Sequence, residues 1–221
     1  INCRVVGNTA GYAELAGGAA LYNLNATMTV LSSTIADNLS PSGKAIANFS
    51  WTPAVGVRVK VANSILFNGG NELWSNVRTA AEVTYSDVQG GWTGTGTGNI
   101  SADPQFIRSG ARGAEGEWVD GDYRLTSSSP AIDAGHSPAL PADELDLDAD
   151  GDTTESLPVD LDNETRVENT KLDLGAYEQL AKQTPPVPTA NLLVSVGDGF
   201  LVLAPDPTAP GSSNTFIGSV D

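Results

Sequence analysis

The strongest candidate for chemistry is an acidic segment at residues 143–164, which holds ten carboxylate side chains and no Lys or Arg. Along its centre, carboxylates alternate with other residues and a glycine follows at the bend. Alternating carboxylates in a tight loop present the hard oxygen ligands that Ca²⁺ prefers. The candidate calcium ligands are Asp146, Asp148, Asp150, Asp152 and Glu155.

The segment does not fit the EF-hand pattern. An EF-hand requires a glutamate at loop position 12, and Leu157 stands there when the count begins at Asp146. Neither flank has the apolar periodicity of an amphipathic helix. Two interpretations stay open: a calcium loop of another class, or a solvated acidic loop of the kind found in salt-adapted secreted proteins.

Groups with a catalytic role are harder to find. Asp133 and Asp173 each lie between apolar residues, which fits a catalytic pair or, as we favour, carboxylates that accept backbone N–H bonds in buried turns. Arg58 and Lys60, near Trp51, are the candidates for a polysaccharide lyase, which needs a basic proton abstractor. No carboxylate cluster accompanies them, so a solvated face that prevents aggregation is the favoured interpretation. No catalytic or cofactor-binding residue is therefore assigned.

Composition excludes several classes of protein. The chain has 221 residues and a formal charge of −16, which disfavours nucleic acid and anionic membranes as partners. Its single Cys and single His exclude a disulfide scaffold and a multi-histidine metal centre. No apolar run is long enough for a membrane span, so no membrane insertion is expected. Abundant Thr, Val, Ser, Asn and Gly favour strands and turns.

Internal repeats indicate how the strands are arranged. Asn8, Asn38 and Asn68 recur with matching flanks at a spacing of about 30 residues, and Gly18–Asn23 matches Gly43–Asn48 at about 25. These spacings predict a coiled β-solenoid with loops of varying length. The three asparagines are expected to stack at one corner in a hydrogen-bonded ladder.

Alternation within the repeats predicts which side chains face the interior. The residues predicted to point inward are Thr27, Thr29, Leu31, Val57, Val59 and Val61. This parity leaves Arg58 and Lys60 outside. Continued along the chain, it places Val5, Ile35 and Ile65 in one interior column.

An ordered set of motifs extends the pattern beyond the repeats. The motifs are Val61–Asn68, Val83–Gly91, Gly98–Phe106, Gly121–Leu125, Ser129–Gly135, Val159–Arg166 and Leu172–Glu178. Together they resemble bacterial right-handed parallel β-helix repeat proteins, in particular the C-terminal "choice-of-anchor" region of large secreted or surface proteins. The resemblance covers about residues 1 to 180. One departure is Asp162–Asn163, where the family usually has Asp-Gly, and Asn is the next best residue for positive φ.

The predicted fold is all-β: a right-handed parallel β-helix with a loop-rich C-terminal region and short extra strands. Residues 1–98 form the parallel β-helix, and residues 99–182 form a loop-rich cap or anchor-type region that contains the acidic loop. Residues 183–190 form a Pro-rich linker. Residues 191–221 are a short β segment, which is a cap, the start of another domain, or a strand donated to a neighbouring molecule.

The resemblance and the composition lead to an expected function. They favour a non-catalytic extracellular module for structure or surface attachment, similar to an adhesin or a filament. The alternative is a polysaccharide-binding protein, or a polysaccharide lyase or hydrolase, that acts on acidic glycans. The expected partners are cell-surface polysaccharide or copies of the chain stacked head to tail, because Ile1 begins within a repeat and would leave an open sheet edge.

Overall fold

The structure is a computed structural model that describes residues 1–11, 20–52, 58–168 and 170–179, together with the backbone of two strands at 200–203 and 216–219. The chain divides into two compact units, Ile1–Gln179 and Leu180–Asp221. Several predictions lie outside the described residues: those for Gly18, Val57, the linker 183–190 and most of the tail 191–221. Among the described residues, no helix has the length and apolarity that a membrane span requires.

Ten strands form three parallel sheets, which the chain visits in the same order in each repeat. The first sheet contains β1 (Arg4–Val6), β4 (Thr34–Ala36), β7 (Ile65–Phe67) and β10 (Asp87–Val88). The second contains β2 (Leu21–Leu24), β5 (Ile46–Phe49) and β8 (Leu73–Ser75), and the third contains β3 (Met28–Leu31), β6 (Val59–Ala62) and β9 (Ala81–Thr84). The described residues include no α-helix, so the all-β class and the stacking of parallel strands agree with the sequence prediction.

One hydrophobic core lies between the three sheets. Ile35 and Leu66 enter it from the first sheet, Ile46 from the second, and Val61 and Val83 from the third. Each of these side chains is 0–1% exposed. The inward orientation predicted for Val61 is confirmed, and Lys60 between Val59 and Val61 faces solvent as expected.

The predicted column of Val5, Ile35 and Ile65 is wrong in its last member. Ile35 pairs with Val5 and Leu66, whereas Ile65 pairs with Thr34. Ile65 points away from the core and packs among C-terminal apolar residues that include Leu125 and Leu174. A strand that is buried on both faces has no alternation between polar and apolar residues, so the run Ile-Leu-Phe could not fix its own register.

The inward orientation predicted for Thr27, Thr29 and Leu31 is also wrong. Val30 is the buried residue of β3, and it pairs with Val61. Thr29 is exposed beside Lys60. The repeat is one residue longer here than the spacing of the asparagines, and a shift of one residue moves every side chain of a strand to the other face.

The predicted asparagine ladder is confirmed. The Nδ2 atom of Asn8 donates to Oδ1 of Asn38, and the Nδ2 atom of Asn38 donates to Oδ1 of Asn68, at 2.9 Å in each case. Asn68 donates through its backbone N and its Nδ2 to the two carboxylate oxygens of Glu72, at 2.9 and 2.6 Å. Burial raises the pKa of Glu72, and the bonds from Asn68 oppose that shift. Glu72 therefore takes the place that the asparagine of a further repeat would occupy.

Two more ladders support other corners. Asn23 donates to Asn48 at 2.9 Å, which confirms the alignment of Gly18–Asn23 with Gly43–Asn48 over its described part. The sequence did not reveal the third ladder, in which the backbone N of Ser33 donates to Oγ of Ser64 and the backbone N of Ser64 donates to Oγ of Ser86, both at 3.2 Å. Buried turns are thus supplied with hydrogen bonds from the adjacent repeat.

Residues 106–168 and 170–179, named here the C-terminal cover, pack on the outer face of the first sheet. Four of its strands pair antiparallel: β11 (Phe106–Arg108) with β14 (Asp122–Leu125), and β12 (Ala111–Arg112) with β13 (Trp118–Val119). The backbone N of Ala176 donates to Oγ1 of Thr34 at 3.0 Å, and the Tyr123 hydroxyl donates to Asp37 at 2.6 Å. These bonds attach the cover to the parallel strands.

Asn63 makes a further attachment, because its side chain and the backbone of His136 exchange two hydrogen bonds of 2.9 and 3.2 Å. The ring of His136 stacks on Tyr85 with 4.2 Å between centroids.

In the second unit, β15 (Phe200–Leu203) pairs antiparallel with β16 (Phe216–Ser219).

We expect Asn38→Ala to lower the free energy of unfolding by about 2–4 kcal/mol, because it leaves buried ladder and backbone groups without partners. Asn8→Ala is the matched control at the exposed end of the same ladder, and we expect it to cost less than about 1 kcal/mol. Urea unfolding followed by circular dichroism measures both. Equal losses in the two variants would contradict a continuous buried ladder.

Candidate functional site

The structure brings two overlapping groups of carboxylates together in the acidic loop. One group is Asp143, Asp148 and Glu155, and the other is Asp146, Asp148 and Asp150. Within each group, one oxygen from each residue lies within 4.8 Å of the others. Ligands that each lie about 2.4 Å from a cation are no more than about 4.8 Å apart. The acidic clusters therefore have the spacing to hold a metal ion.

Local backbone geometry forms the loop. The backbone N of Asp143 donates to the carbonyl of Glu155 at 2.9 Å and closes the base of the loop. Asp146 adopts a positive φ of 51°, and its Oδ1 accepts a bond from the backbone N of Gly151, whose own φ is 90°. Short polar side chains and glycine tolerate this left-handed backbone. The sequence therefore bends the chain so that several carboxylates meet.

The two carboxylate groups differ from the predicted ligand set in two residues. Asp152 belongs to neither group, and its Oδ1 accepts bonds from the backbone and hydroxyl of Thr154 at 2.8 and 2.7 Å. These bonds lower the pKa of Asp152. Asp143, which the sequence analysis did not select, is 1% exposed and joins the group with Asp148 and Glu155. Asp143 precedes the alternating carboxylates, so the sequence pattern did not include it. The hydrogen bond that closes the base of the loop brings Asp143 close to Asp148 and Glu155.

Negative charge accumulates in the loop. The pKa of Glu155 is raised by burial and by the neighbouring carboxylates of Asp150, Asp148, Asp152 and Asp143. Its Oε1 atom is buried without a hydrogen-bond partner. No Lys or Arg lies within residues 143–164, so a bound cation would relieve the mutual repulsion.

Asp173 and Asp133 occupy different environments. Asp173 is 3% exposed, and its two carboxylate oxygens accept bonds from the backbone N of Asp133 and of Gln179, at 2.8 and 2.7 Å. The side chain of Asp133 is exposed, and its backbone has a φ of 57°. The prediction of a carboxylate that stabilises a buried turn is confirmed for Asp173.

The basic residues near Trp51 occupy one corner of the fold. Lys60 faces solvent in the third sheet, where it pairs laterally with Thr29 and Glu82. Arg58 is half-buried at the start of the same strand, and its Nε atom has no hydrogen-bond partner. Trp51 is 58% exposed. The structure thus places an exposed aromatic ring and two cations at the boundary between the second and third sheets.

Asp87 is a buried carboxylate that the sequence analysis did not single out. It is 0% exposed and pairs with Ile65 in the first sheet. One oxygen accepts a bond from the backbone N of Ala102 at 3.1 Å, whereas Oδ2 has no partner. Burial raises the pKa of Asp87 from 3.8 to about 6, and nearby Asp103 adds to the shift. Ionisation of Asp87 therefore opposes folding.

Comparison with protein-family models, with curated proteins and with solved structures finds no match for this chain. The resemblance to β-helix repeat proteins rests on the sequence motifs alone. Activity, partners and location accordingly enter below as proposals.

We expect Asp87→Asn to change how stability depends on pH. A pKa that is raised in the folded state contributes stability below the unfolded value, and this contribution is lost as the pH rises through about 6. The variant should unfold much like the wild type at pH 4 and be more stable at pH 7, by on the order of 2–3 kcal/mol. Urea unfolding across this range measures the difference.

Glu144→Gln is the control for the general effect of removing one exposed negative charge from an acidic chain. It should leave the shape of the pH profile nearly unchanged. A parallel gain in stability at all pH values for Asp87→Asn would contradict the assignment.

Proposed function

We propose that this chain is an extracellular module for structure and surface attachment, built as a right-handed parallel β-helix. The observation that carries the proposal is the repeated passage of the chain through three parallel sheets in one order. Parallel neighbours in a sheet require a crossover, and here each crossover runs through the other two sheets. Crossovers of this kind have a strong right-handed preference in proteins.

The interactions between repeats suit a mechanical role. Backbone bonds of the parallel strands, the ladders through Asn38, Asn48 and Ser64, and the apolar core all connect adjacent repeats. Repeat proteins of this type gain stability from contacts between neighbouring repeats and form extended surfaces. The cover adds a second layer on one face. These features favour a rigid scaffold for attachment over a catalytic role.

We also propose that the acidic loop binds Ca²⁺. Oxygen donors at variable spacing suit Ca²⁺ better than Mg²⁺, which demands a smaller and more regular octahedral site. Asp148 belongs to both carboxylate groups and is the central ligand of the proposed site. Calcium would neutralise the loop and stabilise its conformation within the cover, a role that fits an extracellular protein.

We expect CaCl₂ to raise the thermal unfolding midpoint of the wild type and to release measurable heat in calorimetric titration, because an ion that binds only the folded state stabilises it. Asp148→Asn should abolish both responses, and Asp152→Asn, the matched control, should retain them. An equal loss in both variants would show that the response follows net charge. The absence of heat and of a thermal shift in the wild type would contradict the site.

Attachment without turnover is tested with the purified chain and carboxylated polysaccharides. Beads that carry the chain should be retained on cells rich in surface polysaccharide, and incubation with pectin or alginate should yield neither new reducing ends nor unsaturated products. Depolymerisation that is abolished by Lys60→Ala would instead favour a lyase, with Lys60 as the proton abstractor.

A further inference from the structure

Aromatic side chains gather on the outer face of the second sheet. This aromatic cluster consists of Tyr22, Phe49, Trp51 and Trp74. The rings of Phe49 and Trp74 are nearly parallel, at 9° with 6.3 Å between centroids, and Trp51 meets Phe49 edge-on at 4.7 Å. Tyr22 is 44% exposed and Trp51 58% exposed. Contiguous exposed apolar groups of this kind mark binding surfaces.

The loop that carries Trp51 is held in place by its neighbours. The backbone N of Trp51 donates to Oδ1 of Asn25 at 2.9 Å, and Nδ2 of Asn76 donates to the carbonyl of Ser50 at 2.9 Å. These partners come from the repeats before and after. An exposed ring fixed from both sides binds a ligand with a smaller loss of conformational entropy than a mobile ring.

Three cations lie at the adjoining corner. At the end of the second sheet, the backbone N of Asn25 donates to the carbonyl of Phe49. At the start of the third sheet, the backbone N of Met28 donates to the carbonyl of Arg58. Arg58 and Lys60 start the third sheet on its outer side, and Arg78 lies in the corresponding turn of the next repeat, where its backbone N donates to Asn76. The aromatic cluster and the cations thus border the same corner of the fold.

These cations have no anionic partner within the described ranges. The ion pairs found there all involve residues of the C-terminal cover, and no carboxylate lies within 4.0 Å of the charged nitrogens of Arg58, Lys60 or Arg78. The strands of the second sheet contain no charged residue. Glu82 lies beside Lys60 in the register of the third sheet, so three cations and one carboxylate leave this margin net positive beside exposed aromatic rings, in a chain whose net charge is −16.

We infer that this surface binds an extended polysaccharide that carries carboxylate groups. The apolar faces of sugar rings would contact Trp51 and its aromatic neighbours, and the sugar carboxylates would pair with Arg58 and Lys60. The chain's overall charge repels a polyanion at long range, but that field is screened beyond about 8 Å at physiological ionic strength. At contact, the local cations determine the interaction.

Other occupants fit the surface less well. A second copy of the chain would bring another charge of −16 to the contact. Single-stranded nucleic acid also stacks on aromatic rings, but its affinity depends on the neutralisation of many phosphates, and among the residues that the structure describes we find three cations at this corner, Arg58, Lys60 and Arg78. A glycan with spaced carboxylates matches both the rings and the few cations.

This inference supplies a ligand for the proposed attachment role, and its test is independent of the calcium and turnover experiments. The full chain is titrated onto immobilised alginate and polygalacturonate, with dextran as the uncharged polymer and single-stranded DNA as the competing polyanion. We expect binding to the two carboxylated polymers only. Affinity should fall as NaCl rises from about 0.15 to 1 M, because the long-range repulsion is already screened at the lower concentration and added salt then weakens the local ion pairs as the screening length shortens from about 8 to 3 Å.

The variants Trp51→Ala and Arg58→Gln/Lys60→Gln should each weaken binding by about tenfold or more, since aromatic and Arg contacts dominate such surfaces. Lys171→Gln, which removes one exposed cation elsewhere, is the control for loss of positive charge from the surface and should bind like the wild type. Circular dichroism and thermal melting verify that each variant folds. A loss of affinity for the polysaccharide is thereby distinguished from a loss of the folded structure.

Several outcomes would overturn the inference. They are equal binding to dextran, preferential binding to DNA, and unchanged affinity in the charge variants. Concentration-dependent dimerisation that Trp51→Ala abolishes would assign the surface to a second copy of the chain instead.

Discussion

Hydrogen bonding between successive repeats is the constraint on which this structure depends. A parallel strand satisfies its backbone through both neighbours, and its corners must do the same. Asn38 shows how: it accepts from Asn8 and donates to Asn68, so each ladder residue completes the turn before and after it. Where no further asparagine follows, Glu72 supplies the last acceptors. The ladder has a direction, and a carboxylate ends it.

The corner between the third and first sheets positions the C-terminal cover. Ser32, Asn63 and Tyr85 hold successive left-handed positions where the third sheet leads into the first. Asn63 uses its amide to bind the backbone of His136, and Tyr85 stacks on the His136 ring. The cover buries the outer face of the first sheet. That burial explains the outward Ile65.

Charge is distributed unevenly over the fold. Acidic groups collect in the loop around Asp148, whereas Arg58 and Lys60 lie at a corner where no carboxylate of the described residues forms an ion pair with them. The strands of the second sheet are uncharged, and the aromatic cluster on that sheet borders the corner that carries Arg58 and Lys60. The two candidate binding regions therefore suit opposite ligands, a cation in one and an anionic polymer in the other.

The sequence alone determined the all-β class, the spacing of the asparagine ladder and the acidic loop, because turn residues and alternating carboxylates act through local geometry. Tertiary structure decided the rest. The register of Ile65 and the inward side of Val30 depend on a one-residue change in repeat length that leaves no local pattern. Asp143 joins the acidic cluster, and Trp74 reaches Phe49, only because folding brings together residues that are distant along the chain.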